Sequence, residues 1–435
     1  HGASYRLLVL PELATMRPEL LRKLRDLVAK GGALLGSPPE RSPSLENYPA
    51  CDAQVRQLAA ELWQHCDGRT VQEVRFHQGR VLRGLDLTAA LAKLDTPPDV
   101  AGLDPKQVLW THRSTGEADI YFLASQSEQP VSLVPVFRVR GKAPELWHAD
   151  TGGRVPTVVF EPVAGGIRLP LHLEARGSVF VIFRKSANTE PAVTKVVRNS
   201  ELVLSTTEGY SATDRMPRLP PLLVERAADG SVAATCFEGG NYVFEWSDGQ
   251  TRTCDAGAIL TPIELAGPWE LRFPKNMDVP ERLVLDHLVS WSEHPNEAVK
   301  YFSGTASYVR EFELPTPAGE LLLDLGRVEA LAEVLVNGAQ LGVLWKPPFR
   351  VSLTRAVKPG RNRLEVRVTN VWLNRLLGDK KHPRGFPGGS GLQFKPYLAA
   401  DISRQIGAAP APSGLLGPVR LLAGRRVQVE RQPHK

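Results

Sequence analysis

The sequence predicts a multidomain, mainly β protein: a small α/β domain, then β-sandwich modules, then a C-terminal jelly roll. Three observations predict it. Helix-period and strand-like segments alternate only in the first hundred residues; beyond about Gln107 short apolar runs stand between turn clusters and no helix-period segment recurs. Glycine and proline are both frequent, at 37 and 36 residues, as suits a chain of many turns. The length of 435 residues matches about three domains at ~150 residues each. The composition shifts place modules at 1–105 (α/β), 106–187 (β-sandwich), 188–262 (small β module) and 263–435 (jelly roll, galactose-binding-like).

Tyr5 to Leu10 is an almost unbroken apolar run, expected to be a strand buried on both faces and stopped by Pro11. Leu20, Leu21, Leu24, Leu27 and Val28 recur at three and four, predicting a helix over Pro18–Lys30 with Pro18 in its first turn and Gly31-Gly32 as its stop. Ala33–Gly36 is a second short strand. Asp52–His65 is another amphipathic helix, with Asp52 expected as N-cap. Val71–Phe76 and Gly79–Leu82 are extended, and Thr88–Leu94 is a short helix. This is a flavodoxin/glutaminase-like layer domain with parallel strands, and it has too few βα units for a closed barrel, which needs about 200 residues or more.

In the next block Asp119–Leu123, Val131–Val139, Thr157–Phe160 and Gly177–Phe183 are expected strands, and Ser186–Pro191 a linker. In the third, Gly240–Gly249 carries a strand and a tight turn, while Pro217, Pro220 and Pro221 interrupt the part before it. In the last, Ser307–Leu314, Leu321–Leu325, Ala332–Val336, Arg363–Val368, Val419–Leu422 and Val427–Val429 are strands, and Asn337-Gly338 is a strong hairpin signal.

Hydrophobic residues make up 42% and charged residues 23%, and no run reaches 18 apolar residues, so no membrane span is expected. The net charge of +6 is dispersed; its densest clusters, Lys380-Lys381-His382 and Arg425-Arg426, lack a stacking platform and read as solvated surface, so no nucleic-acid partner is expected. Cys51, Cys66, Cys236 and Cys254 form no metal-spaced pattern; within each pair a disulfide and free thiols are equally compatible with the spacing. No phosphate loop, dinucleotide fingerprint, GxSxG or HExxH motif occurs. No signal segment opens the chain, which starts at His1 without an initiator Met; the start is expected to be trimmed.

Two polar-aromatic clusters are the candidate sites. In Trp110-Thr111-His112-Arg113 through Asp119-Ile120-Tyr121, a hairpin is expected to pair Arg113 with Asp119; it serves either as a plain ion pair or as a sugar contact with His112 and Arg113. The second gathers Trp291, Lys300, Tyr301, Trp345, Trp372, Asn374 and Arg375. Aromatic faces pack on the C–H face of a pyranose while amides and guanidinium bond its hydroxyls; the competing reading is that the tryptophans fill a core. Glycoside cleavage needs two carboxyl groups about 5–10 Å apart. Asp119, Glu293, Glu297 and Asp379 neighbour the aromatic clusters, but Pro295 argues against Glu293 and Glu297 sharing a helix face, and Glu329 and Glu333 read as surface acids.

Together these segments resemble glycoside hydrolase family 106, the α-L-rhamnosidases. The resemblance rests on Tyr5–Pro11, Ser42–Leu45, Glu61–Trp63, His112-Arg113, Ala118–Phe122, Pro144–Trp147 and Gly177–Val181, then on Gly267–Trp269, Tyr301–Ala306, Asn374–Asp379 and Ser413–Val419. The last block is also similar to the sugar-binding jelly roll of family 2 glycosidases. In such rhamnosidases the catalytic carboxylates and a calcium site lie in a (β/α)₈ barrel before this region, so no catalytic position carries over, and calcium and a secreted or periplasmic location are implied by the resemblance alone. The resemblance implies an accessory region that contacts carbohydrate and braces a catalytic barrel, with no cofactor of its own. The alternatives are a self-sufficient glycoside hydrolase with a site rebuilt at a domain junction, and a non-catalytic, self-associating assembly module.

Overall fold

The computed structural model describes residues 5–184, 191–210, 222–226, 231–275, 278–314, 319–382 and 409–429. The chain forms two compact units that divide between Pro98 and Asp99. The division falls before the expected 105 because Val100–Ala101 pairs with Val136–Phe137 of the second unit.

In the first unit four strands lie in the order Leu8–Val9, Ala33–Leu35, Gly79–Leu82, Glu73–Phe76. The first three are parallel, while Glu73–Phe76 returns antiparallel. Helices Pro18–Ala29, Ala50–Trp63 and Leu87–Lys93 accompany the sheet. Leu21, Val28, Val55, Leu62 and Trp63 from two of them close on Leu34 and Val81. The first strand departs from expectation: Leu8 and Val9 are 44% and 51% exposed, because no strand lies beyond them among the described residues. The cap of the second helix also differs. Pro49 stands at its N-cap, and Asp52, inside the first turn, accepts from the Ser42 amide instead.

Among its described residues the second unit is mainly β, with helices Glu297–Lys300 and Leu373–Lys381 where the last block was expected to be all β. A five-stranded antiparallel sheet runs Gly153–Pro156, Ala143–His148, Ser178–Arg184, Ala118–Ser125, Val108–Ser114, and a four-stranded sheet runs Glu161–Val163, Gly166–Arg168, Val136–Phe137, Val100–Ala101. They share a core of Val108, Tyr121, Phe137, Ile167, Val181 and Phe183. Val131–Val139 is two strands rather than one, broken at Val134-Pro135, and Thr157–Phe160 makes only isolated bridges. Another five-stranded sheet carries Val193–Arg198 beside Asn241–Trp246.

The last block builds two six-stranded sheets. One holds Leu222–Arg226, Val232–Cys236, Arg420–Gln428, Glu320–Asp324 and Arg350–Ser352, with Ile263–Glu264 on Arg420–Gln428; the other runs Arg282–Leu285, Trp269–Arg272, Thr305–Leu314, Gly360–Thr369, Leu331–Val336, Ala339–Leu344. Alternation along Gly360–Thr369 buries Leu364, Val366 and Val368 against Tyr308, Phe312 and Val334. Asn337 and Gly338, both at positive φ, make the expected hairpin turn. The two expected C-terminal strands are one, Arg420–Gln428, which pairs with Val232–Cys236 and so joins the third and fourth modules in one sheet. All of the expected linker Ser186–Pro191 except Pro191, together with Pro217, Pro220 and Pro221, lies outside the described residues. The four cysteines are free thiols, and no described helix is long and apolar enough to cross a membrane.

Candidate functional site

Strand Val108–Ser114 turns through Thr115, whose hydroxyl accepts from the Ala118 amide, and pairs with Ala118–Ser125 so that His112 lies opposite Tyr121 and Ser114 opposite Asp119. Alternation puts His112, Ser114, Asp119 and Tyr121 on one face, and Arg113, opposite Ile120, on the other. The expected Arg113–Asp119 pair therefore does not form, and Arg113 donates to the His112 carbonyl at 3.0 Å. The His112 ring stacks flat on Tyr121, centroids 4.1 Å apart. Its Nδ1 lies 3.0 Å from Asp99 Oδ2 and its Nε2 3.3 Å from Asp119 Oδ1. Arg138 closes on Asp99, and Lys142 Nζ on Asp119 at 2.8 Å. Burial disfavours charge on both acids. Bonds from His112 and Arg138 on Asp99, and from Lys142, Ser114 and His112 on Asp119, outweigh it and hold both below the usual carboxylate range. An imidazole engaged at both nitrogens between two compensated carboxylates pins the hairpin, and leaves no acid poised to give up a proton.

The second cluster separates into buried and exposed parts. Trp291 opens a 3-10 turn capped by Ser290 and is 1% exposed, lying parallel to Tyr308 and edge-on to Phe302. It fills the core and offers no face to a sugar. Tyr301 is also buried, with Lys381 rather than Lys300 over its ring at 5.5 Å. Lys300 ends the short helix Glu297–Lys300, half-buried. In helix Leu373–Lys381, Asn374 donates to the Ala411 carbonyl and accepts from its amide, both at 2.8 Å. Arg375 lies between Asp278 and Asp379, at 3.4 and 2.9 Å, all three buried. Trp345 and Trp372 are 57% and 63% exposed. They follow strands Ala339–Leu344 and Gly360–Thr369, whose ends flank the start of Leu331–Val336, and so share one rim of that sheet with exposed Leu331 and Val371.

Of the remaining acids, Glu293 is exposed in the 3-10 turn, and Glu297 is bound by Lys381 and His382, each at 2.5 Å, which draws it below the carboxylate range. The helical turns break at His294–Asn296, so Glu293 and Glu297 share no helix face, as Pro295 implies. Glu329 is held by Arg327 and Glu333 by Arg367 and Gln340. Among the described residues no group of three or more His, Cys, Asp or Glu is arranged to hold a metal, and Asp99 and Asp119, already neutralised by Arg138 and Lys142, do not fit calcium.

Sequence reasoning missed a third cluster. Lys346 lies 2.7 Å from Asp150; Arg350 lies 3.2 Å from Glu174 and 2.8 Å from Asp324. His172 Nε2 stands 3.9 Å from Glu174. Burial pushes Glu174 above the usual carboxylate range despite Arg350, and pulls His148 and His172 down. These residues come from segments up to two hundred positions apart, each an ordinary surface charge in sequence; the only local signal is the pair of cations bracketing Pro347-Pro348-Phe349.

Comparison with known proteins shows what the chain is similar to. Residues 1–161 match the family model of glycoside hydrolase 106, alpha-L-rhamnosidase. A solved rhamnosidase from Novosphingobium sp. PP1Y is 31% identical with a TM-score of 0.69, over 97% of this chain and 34% of that one. A protein described as a putative beta-glucuronidase from Formosa agariphila is 27% identical over 97% of this chain and 51% of its own length. The chain is thus similar to the rhamnosidases of glycoside hydrolase family 106. It spans about half the length of the curated relative and a third of the solved rhamnosidase.

Proposed function

We propose that the chain is the C-terminal accessory region of an α-L-rhamnosidase-like glycoside hydrolase, contacting carbohydrate through its last, jelly-roll block and bracing a catalytic barrel through its first unit. The observation that carries this reading is the state of the candidate acids. Asp119, Glu297 and Asp379 are each fixed on a cation and Glu293 lies on the surface, which argues against any of these four serving as the acid or the nucleophile of a glycosidase. Bracing is supported by the parallel edge Leu8–Val9, which has no strand beyond it among the described residues and borders an apolar cavity of about 670 Å³ lined by Tyr5, Leu7, Leu24 and Leu27. Carbohydrate contact is supported by the exposed indoles of Trp345 and Trp372 on one rim.

Two assays test it. The purified chain should leave aryl α-L-rhamnosides and aryl β-glucuronides intact, and should be retarded in gels containing a rhamnose-bearing polysaccharide, with retardation lost in Trp345→Ala and Trp372→Ala. Brisk turnover abolished by Glu174→Gln would replace this reading with a self-sufficient glycosidase. Retardation unchanged in both tryptophan variants would remove the carbohydrate contact.

A further inference from the structure

We propose that Lys346 and Arg350 form an acid-released clasp that holds the sandwich of residues 99–184 to the C-terminal block. The two cations stand four residues apart, Lys346 in the connection after strand Ala339–Leu344 and Arg350 at the start of strand Arg350–Ser352. Both reach across to the sandwich: Lys346 Nζ to Asp150 Oδ2 at 2.7 Å, and Arg350 Nη1 to Glu174 Oε1 at 3.2 Å. Arg350 Nε is anchored on its own side by Asp324 at 2.8 Å. All five side chains are largely enclosed, so these bridges are little screened by solvent.

Behind each sandwich acid stands a histidine. His148 begins the turn that carries Asp150, closed by the Gly152 amide on the His148 carbonyl at 2.8 Å. His172 lies two residues before Glu174, with Nε2 buried and without a hydrogen-bond partner among the described residues. The groups facing His148 are Asp150 and Lys346; those facing His172 are Glu174, Arg350 and the Tyr210 ring. A proton on His172 places a second positive charge beside Arg350, and a proton on His148 places a charge in an enclosed site beside the Asp150–Lys346 bridge, where burial disfavours it.

The sign follows from linkage. Burial holds both histidines below their ordinary 6.5; at His148 it prevails over Asp150, which pulls up more strongly than Lys346 pushes down, and at His172 Arg350 adds to it. The closed clasp thus binds fewer protons than the open one, and loses stability as pH falls through 6.5. Glu174, raised by burial, acts in the opposite sense: closure favours its proton, which offsets part of the loss at lower pH. Two histidines against one carboxyl, with the histidines' ordinary 6.5 above the carboxyl's 4.5, set the direction as opening on mild acidification.

Hydrogen exchange of the full chain at about pH 7.5 and about pH 5.5, corrected for the intrinsic rate, tests this. Amides of 145–156, 171–174 and 346–353 should exchange several-fold faster at the lower pH, while the paired strands Thr305–Leu314 and Gly360–Thr369 stay unchanged. The double variant His148→Gln, His172→Gln should lose the difference, and Lys346→Met should exchange fast at both values. An unchanged rate in the native chain, a pH response kept by the double variant, or full protection in Lys346→Met would each overturn the clasp.

Discussion

His112 is bonded at both ring nitrogens, and the carboxylates that hold it are matched by Arg138 and Lys142. Removing one member strands its partner. Asp119→Asn leaves Lys142 half-buried without its counter-charge and should cost about 2–3 kcal/mol in urea unfolding, whereas Arg113→Ala, on the opposite face, should change stability by less than about 0.5 kcal/mol. Asp99 and Asp119 both lie below the ordinary 3.8 when folded, so their contribution is complete above that value and is lost as pH falls through the lowered ones. The urea midpoint should therefore drop between about pH 5 and about pH 2, and Lys142→Met should flatten the drop. Gly414 gives a steric test. At φ +98 a Cβ would meet Tyr308 Oη at 2.5 Å and the Trp291 indole nitrogen at 2.7 Å, so Gly414→Ala should cost about 2–3 kcal/mol.

At the scale of elements, periodicity was a good guide wherever local sequence decides. Leu21, Leu24 and Val28 bury along one stripe of Pro18–Ala29, and Gly31 at positive φ ends it. The helix Leu87–Lys93 is capped by Asp86, whose carboxylate accepts from the Ala89 amide at 2.8 Å; Asp86→Ala should cost about 1 kcal/mol, read by thermal unfolding. Alternation could not say which apolar strand lies at an edge. Leu8-Val9 and Leu34-Leu35 look alike in sequence, yet among the described residues only the second has neighbours on both sides. Val9→Lys should therefore leave stability within about 0.5 kcal/mol of the parent and lower any self-association seen by light scattering. The candidate sites divide the same way. The polar residues of Asn374–Asp379 were legible as a cluster, but Trp291 and Trp345 carry the same side chain, and sequence spacing held no sign that one fills a core and the other faces solvent.

Over the whole molecule, distinct hydrophobic cores serve the first unit and the successive β blocks. Calorimetry should resolve at least two transitions, the unit ending at Pro98 melting apart from the rest; one cooperative transition with matching calorimetric and van't Hoff enthalpies would contradict this. Strand Arg420–Gln428, pairing with Val232–Cys236 nearly two hundred residues earlier, ties the third and fourth modules into one sheet, so truncation before Arg420 should unfold both.

What the sequence determined by itself is what short-range physics decides: the α/β beginning, the mainly β remainder, most strand and helix positions, the Asn337-Gly338 turn and the family resemblance. All but the last rest on patterns within some ten to twenty residues, where periodicity and turn chemistry act; the resemblance rests on short segments spread along the chain. Tertiary structure alone decided which strands lie at edges, which tryptophans are core, and that Asp150, Glu174, Asp324, Lys346 and Arg350 converge. Charge–charge energies depend on distance in space and on burial, and neither is a property of any stretch of chain until the sheets have packed.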